Sequence, residues 1–159
     1  MTKSQQMTTK QPVNRTNFSS PLYSEATIHH DVIYCSGKIG LDPVTGQLVG
    51  DDVAEQTKAA LKLLESVLHT AGSSLSSILK CNIFLADVSD FAAMNAACKN
   101  SNLEAAEHYL TMPDIAIVPD PKPARVCVSN VVLGRGAKVE IDCIAALEQI
   151  NEDSRPSRL

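Results

Sequence analysis

A chain of 159 residues fits one domain with short tails, and it can bury roughly two-thirds of its unfolded surface without disulfide staples. A net charge of −4 and a pI near 5.5 argue against a nucleic-acid binder, which ordinarily carries a basic face. No run of about 18 apolar residues occurs, so no membrane-spanning helix is expected.

Residues 1–17 are polar, rich in Ser, Thr, Gln and Lys, and free of acid, which predicts a disordered arm. The same composition permits a transit-peptide reading, although the segment carries no apolar stripe. Ala26–His30 and Val32–Ile39 predict two strands around a turn at His30-Asp31, the second punctuated by Gly37. Asp42-Pro43-Val44-Thr45-Gly46 predicts a turn. Asp51 or Asp52 can cap a helix running to Ala71. Its Val53, Ala60, Leu61, Leu64, Val67 and Leu68 fall on one face, and Gly72 stops it. A buried strand is expected at Ile78–Ala86. Ser89 or Asp90 can cap a second helix from Phe91, which Met112-Pro113 ends at the latest. Pro113, Pro119, Pro121 and Pro123 forbid regular structure before two last strands, Ala124–Leu133 and Lys138–Ala146. The order ββ-α-β-α-ββ implies an α+β layer, two helices on one face of a mixed sheet. Residues 149–159 read as a flexible tail.

The five cysteines are Cys35, Cys81, Cys98, Cys127 and Cys143. They are odd in number, form no CxxC, and read as small buried hydrophobes in a reducing compartment. His29, His30, His69 and His108 lack ligand spacing with thiolate or carboxylate, so no metal site is expected.

Two segments say more. One is Pro123-Ala124-Arg125-Val126-Cys127-Val128, followed by Val139-Glu140-Ile141-Asp142. The other is Tyr34-Cys35-Ser36-Gly37-Lys38-Ile39, trailed by Leu41-Asp42-Pro43-Val44-Thr45-Gly46. With Ala71-Gly72-Ser73-Ser74 and Phe91-Ala92-Ala93-Met94-Asn95, they resemble the Rid (YjgF) family in order and spacing over about Tyr23 to Leu147. The resemblance implies a single domain over 18–148 and a chorismate-mutase-like α+β protomer, three of which form a barrel-like homotrimer with sites in the clefts between subunits. It implies a 2-iminobutanoate/2-iminopropanoate deaminase: hydrolysis of 2-aminoacrylate and related 2-imino acids to 2-keto acids and ammonia, without metal or organic cofactor.

On those residues, Arg125 at the head of a strand suits a bidentate clamp on the substrate carboxylate. Glu140 resembles the carboxylate that handles the proton of the attacking water. Strand alternation puts Glu140 and Asp142 on the face opposite Val139 and Ile141. Tyr23 matches a cleft-lining tyrosine, and Gly37 a glycine where backbone approaches ligand. Asn95 matches a position near substrate. Cys127 shares a face with Arg125 and is expected to offer backbone contacts rather than a nucleophile.

Four positions depart from the family pattern: Lys38 stands for Gln, Gly40 for Pro, Pro21-Leu22-Tyr23 for Gly-Pro-Tyr, and Val131 for a small or basic residue. Lys38 would add a cation near the cleft, favouring more acidic substrates, or pair with Glu25. The span from Asn95 to Arg125 is about a dozen residues longer than usual. The insertion, around 99–123, would form a lid or lie outside the trimer. The chain closes on Ser157-Arg158-Leu159, similar to the Ser-Lys-Leu peroxisomal address, with cytoplasm or mitochondrion as the alternative. Two other functions stay open: an endoribonuclease, which would need a basic, aromatic surface, and a non-catalytic binding or chaperone trimer using the same clefts.

Overall fold

The computed structural model describes residues 9–99 and 120–148. Strand β1 (Gln11–Val13) pairs antiparallel with β2 (Ala26–His29), so the arm expected to be disordered over 1–17 contributes a strand. Only Val13 of the three is apolar, which hid the strand. What holds it is pairing with β2 and an ion pair just beyond it, from Arg15 to Glu25.

β2 and β3 (Val32–Cys35) are joined by His30 and Asp31, both at positive φ (49° and 61°). That conformation suits a two-residue hairpin with the right-handed twist of its strands. The predicted second strand divides after Cys35. Ser36 leaves the ladder, donating its N–H to Glu25 O (2.9 Å) and its hydroxyl to Ser24 O (2.7 Å). Pairing resumes as β4 (Lys38–Ile39) against β7 (Val139–Ala146).

Helix α1 (Val53–Ala71) has the predicted face. Ala60, Leu61, Leu64, Val67 and Leu68 are all buried, and each large one contributes about 1.5–3 kcal/mol over an exposed position. Of the two candidate caps, Asp52 serves, accepting from the Glu55 N–H at 2.9 Å, and Gly72 ends the helix at φ 82°. β5 (Ile78–Leu85) follows. The expected cap of the second helix moves. A single 3-10 turn, Val88–Asp90, is capped by Asp87, which accepts from Ser89 N–H at 2.8 Å, and runs straight into α2 (Phe91–Lys99). Asp90 instead pairs with Lys138. The continuation toward Met112, and most of the 99–123 insertion, lie outside the described residues. β6 (Ala124–Val128) is shorter than the predicted Ala124–Leu133, because the chain turns at Asn130 (φ 61°).

The strands form one mixed sheet in the order β1-β2-β3-β7-β5-β6, with β4 also on β7; β5 and β6 run parallel and the other pairs antiparallel. Both helices cover one face. Val139, Ile141, Cys143 and Ala145 of β7 point into that core with Ile33, Leu85 and Met94, while Glu140, Asp142 and Ile144 point the other way. This is the expected α+β layer.

Candidate active site

Arg125 lies on β6 at the edge of the sheet, opposite Cys81 of β5. Cys81 is buried in the core, so the pleat aims Arg125 and Cys127 to the helix-covered face. There Asn95 Oδ1 accepts from Arg125 Nη1 at 2.6 Å, and the guanidinium stands 5.9 Å from the Phe91 ring centroid. Phe91 and Asn95 are four apart on α2 and so present one face, a relation that could have marked Phe91 from sequence. Among the described residues Asn95 is the sole hydrogen-bond partner of the Arg125 side chain, and its Nε and Nη2 donors meet no described acceptor. A cavity of about 300 Å³ opens beside the pair, lined by Leu61, Cys81, Ile83, Asn95, Arg125 and Ile141.

Burial raises the Cys127 thiol above its ordinary value, and the Arg125 guanidinium pulls against that without reversing it. Cys127 is therefore a thiol at neutral pH, a poor nucleophile. The other four cysteines are free as well, with Cys35, Cys81 and Cys143 buried in the core.

Glu140, Gly37 and Tyr23 stand apart from Arg125. Glu140 is half-buried on the sheet's other face, directly against Gly37: a Cβ on that glycine would lie 2.1 Å from Glu140 Oε1. Only a glycine permits this approach. Among the described residues the Glu140 carboxylate has no hydrogen-bond partner, whereas Asp142 accepts from Asn82 Nδ2 at 2.6 Å. Tyr23 is 55% exposed and packs on Phe18, their centroids 5.6 Å apart.

Lys38 does not offer its ammonium to a cleft. It is buried, with Nζ 2.7 Å from Glu25 Oε1 and 5.5 Å from the Phe18 centroid. The pleat at β4 turns it inward, so of its two expected places, a cation near the cleft or a partner of Glu25, the structure has the second. Glu25 and Arg15, which the sequence did not mark as site residues, complete this cluster.

Thus Arg125 and Glu140 occupy opposite faces of one sheet. Two strand spacings separate β6 from β7, about 10 Å sideways before the thickness of the sheet is added. One chain does not bring them together. A second hollow, about 360 Å³ between the loop at Leu41 and the outer side of α1, contains none of the predicted site residues. Ser157, Arg158 and Leu159 lie outside the described residues.

Comparison with known proteins gives the family and the fold. The family model described as endoribonuclease L-PSP matches residues 16–147. Protein mmf1, mitochondrial, of Schizosaccharomyces pombe is 42% identical over 87% of this chain and 77% of its own length. The 2-iminobutanoate/2-iminopropanoate deaminase of Rattus norvegicus is 36% identical over 77% of this chain and 78% of its own. The crystal structure of RidA from the Antarctic bacterium Psychrobacter superposes with a TM-score of 0.70 at 28% identity, covering 86% of this chain and 98% of that one.

Proposed function

Because the chain belongs to the Rid (YjgF) family, the one also described as endoribonuclease L-PSP, we propose that it hydrolyses 2-aminoacrylate and 2-imino acids to 2-keto acids and ammonia. The observation that carries this reading is Arg125, held by Asn95 and Phe91 on the strand β6 with two adjacent N–H donors that meet no acceptor among the described residues. Such a fork matches one carboxylate bidentately.

The chemistry follows from the residues. Arg125 holds the carboxylate of R–C(=NH)–COO⁻ and leaves C2 free for attack. Water adds to C2, its proton passing to Glu140. Glu140 returns that proton to nitrogen, giving the carbinolamine R–C(OH)(NH₂)–COO⁻; it then takes the hydroxyl proton and delivers it to the amine as the C–N bond breaks, giving R–CO–COO⁻ and NH₃. The unpartnered Glu140 beside Gly37 suits that exchange, since no internal bond competes for its oxygens. Because Arg125 and Glu140 face apart within a chain, the reading takes them from neighbouring copies in a homotrimer, with Tyr23 on the Glu140 wall and Asn95 and the strand at Cys127 on the Arg125 wall.

The test is deamination of freshly generated 2-aminoacrylate and 2-iminobutanoate, followed as loss of the semicarbazide-trappable species. The wild type accelerates the loss and Arg125→Ala does not. No acceleration by folded wild-type protein would sink the proposal.

The family description also supports an endoribonuclease reading. That reading requires RNA binding that weakens steeply with salt, which the net charge of −4 disfavours. For compartment, the mitochondrial naming of mmf1 supports the mitochondrion over the peroxisomal address. Imaging the tagged chain, with residues 1–8 or 157–159 removed in turn, decides between them.

A further inference from the structure

We propose that the Arg15–Glu25–Lys38 cluster, with Glu25 and Lys38 buried, sets the geometry of the wall that carries Tyr23, Gly37 and Glu140, making Glu25 and Lys38 positioning residues for the hydrolysis. The inference rests on the deaminase reading and goes beyond it, since none of the three side chains reaches the proposed substrate.

Glu25 is wholly buried and takes two cations on its carboxylate: Arg15 Nη2 at 2.6 Å and Lys38 Nζ at 2.7 Å, both on Oε1. Arg15 also donates from its backbone N and its Nε. Fully desolvated ions are costly, and neutral residues of similar volume often serve stability equally well. The geometry points to what else the ions accomplish.

Glu25 follows Tyr23 by two residues, and Lys38 follows Gly37 directly. The two segments are stitched at three points. Ser36 Oγ donates to Ser24 O at 2.7 Å, Ser36 N–H to Glu25 O at 2.9 Å, and Lys38 Nζ to Glu25 Oε1 at 2.7 Å. Lys38 sits in register with Ile141, and Ile39 with Glu140. A shift of Lys38 therefore moves Gly37 against the Glu140 carboxylate, where a single added carbon would already collide. On its other side Lys38 Nζ stands over Phe18, and Phe18 packs on Tyr23. One ammonium thus links the settings of Gly37 and Tyr23.

The experiment compares wild type, Glu25→Gln and the double variant Glu25→Gln/Lys38→Gln. Glu25→Gln leaves two cations facing a neutral amide, while the double variant replaces the Glu25–Lys38 pair with two amides that can bond each other. The expected result for Glu25→Gln is a kcat on 2-iminobutanoate lower by about 10- to 100-fold, with KM changed less than about twofold. The double variant recovers most of the loss. In parallel, 3-fluorotyrosine labelling reports the ring at Tyr23, one of three tyrosines, assigned by its absence in Tyr23→Phe. Its ¹⁹F resonance shifts in Glu25→Gln and returns in the double variant. An unshifted resonance with wild-type kcat overturns the proposal, as does a loss of activity that merely tracks the folded fraction. An inert wild type defeats the deaminase reading and with it the positioning role in hydrolysis; the ¹⁹F shift then decides whether the cluster sets the wall at Tyr23: moved and restored that link stands, unmoved it falls.

Discussion

Asn95 spends one of the five guanidinium donors of Arg125, and that choice orients the rest. Lysine at this position would keep the charge and lose the fork. Arg125→Lys is therefore expected to raise KM for 2-iminobutanoate by about tenfold or more, measured in steady-state deamination. Gly37→Ala works differently. Its new methyl strikes the flexible end of Glu140 rather than backbone, so the chain still folds while the carboxylate is displaced. A kcat fall of about 100-fold with an almost unchanged melting temperature is the expected signature. Both proposed roles are legible in the sequence only through family resemblance; alternation alone gives the faces of Glu140 and Asp142. Lys38 is legible as a departure with two destinations, the cleft or Glu25, and the sequence does not choose between them. Whether a residue after a glycine break points in or out depends on where pairing resumes, and that is set by a partner strand a hundred residues away.

Elements were read best where local chemistry decides them. Helix α1 carries its own punctuation in Asp52 and Gly72, and its apolar face survives intact. Asp52→Ala is expected to cost about 1 kcal/mol in denaturant unfolding. The turn before α2 was read one step late, because Asp87 starts a 3-10 turn that helical periodicity does not reveal. β1 escapes the sequence because its pairing is long-range, and β6 stops before Val131-Val132-Leu133, whose composition suits a strand, because the chain turns at Asn130. Gly40, standing where proline is usual, is explained by packing: an added Cβ would lie 2.4 Å from Gln56 Cα. Gln56 itself is buried, bridging Gly50 O and the Lys138 N–H. Because that neighbour is helix backbone and cannot swing aside, Gly40→Ala should destabilise by about 1–3 kcal/mol, read by the same unfolding assay.

For the molecule as a whole, acid stability turns on Glu25. Burial raises its carboxyl, but the hydrogen bonds from Arg15 and Lys38 outweigh burial and bring it down to about 2. A depressed folded value means that the stabilisation is complete above the unfolded value near 4.5 and is lost as pH falls from there toward 2. Melting temperature should drop through that window in wild type, and the drop should be smaller in Glu25→Gln. The sheet face that no described element covers raises the question of assembly. Val126 and Val128 are 44% and 42% exposed beside the Asn82–Asp142 pair, and the proposed homotrimer would use that face. The placement of Arg125 and Glu140 on opposite faces also has a genetic consequence. In the proposed homotrimer, two alleles each inactive alone, Arg125→Ala and Glu140→Gln, should complement one another when co-expressed, since each chain would lend what the other lacks. If three-fold rings form by random mixing and each site draws one residue from each of two neighbours, about one site in four is whole. Cells carrying both alleles would then regain about a quarter of the wild-type rate, while either allele alone stays silent.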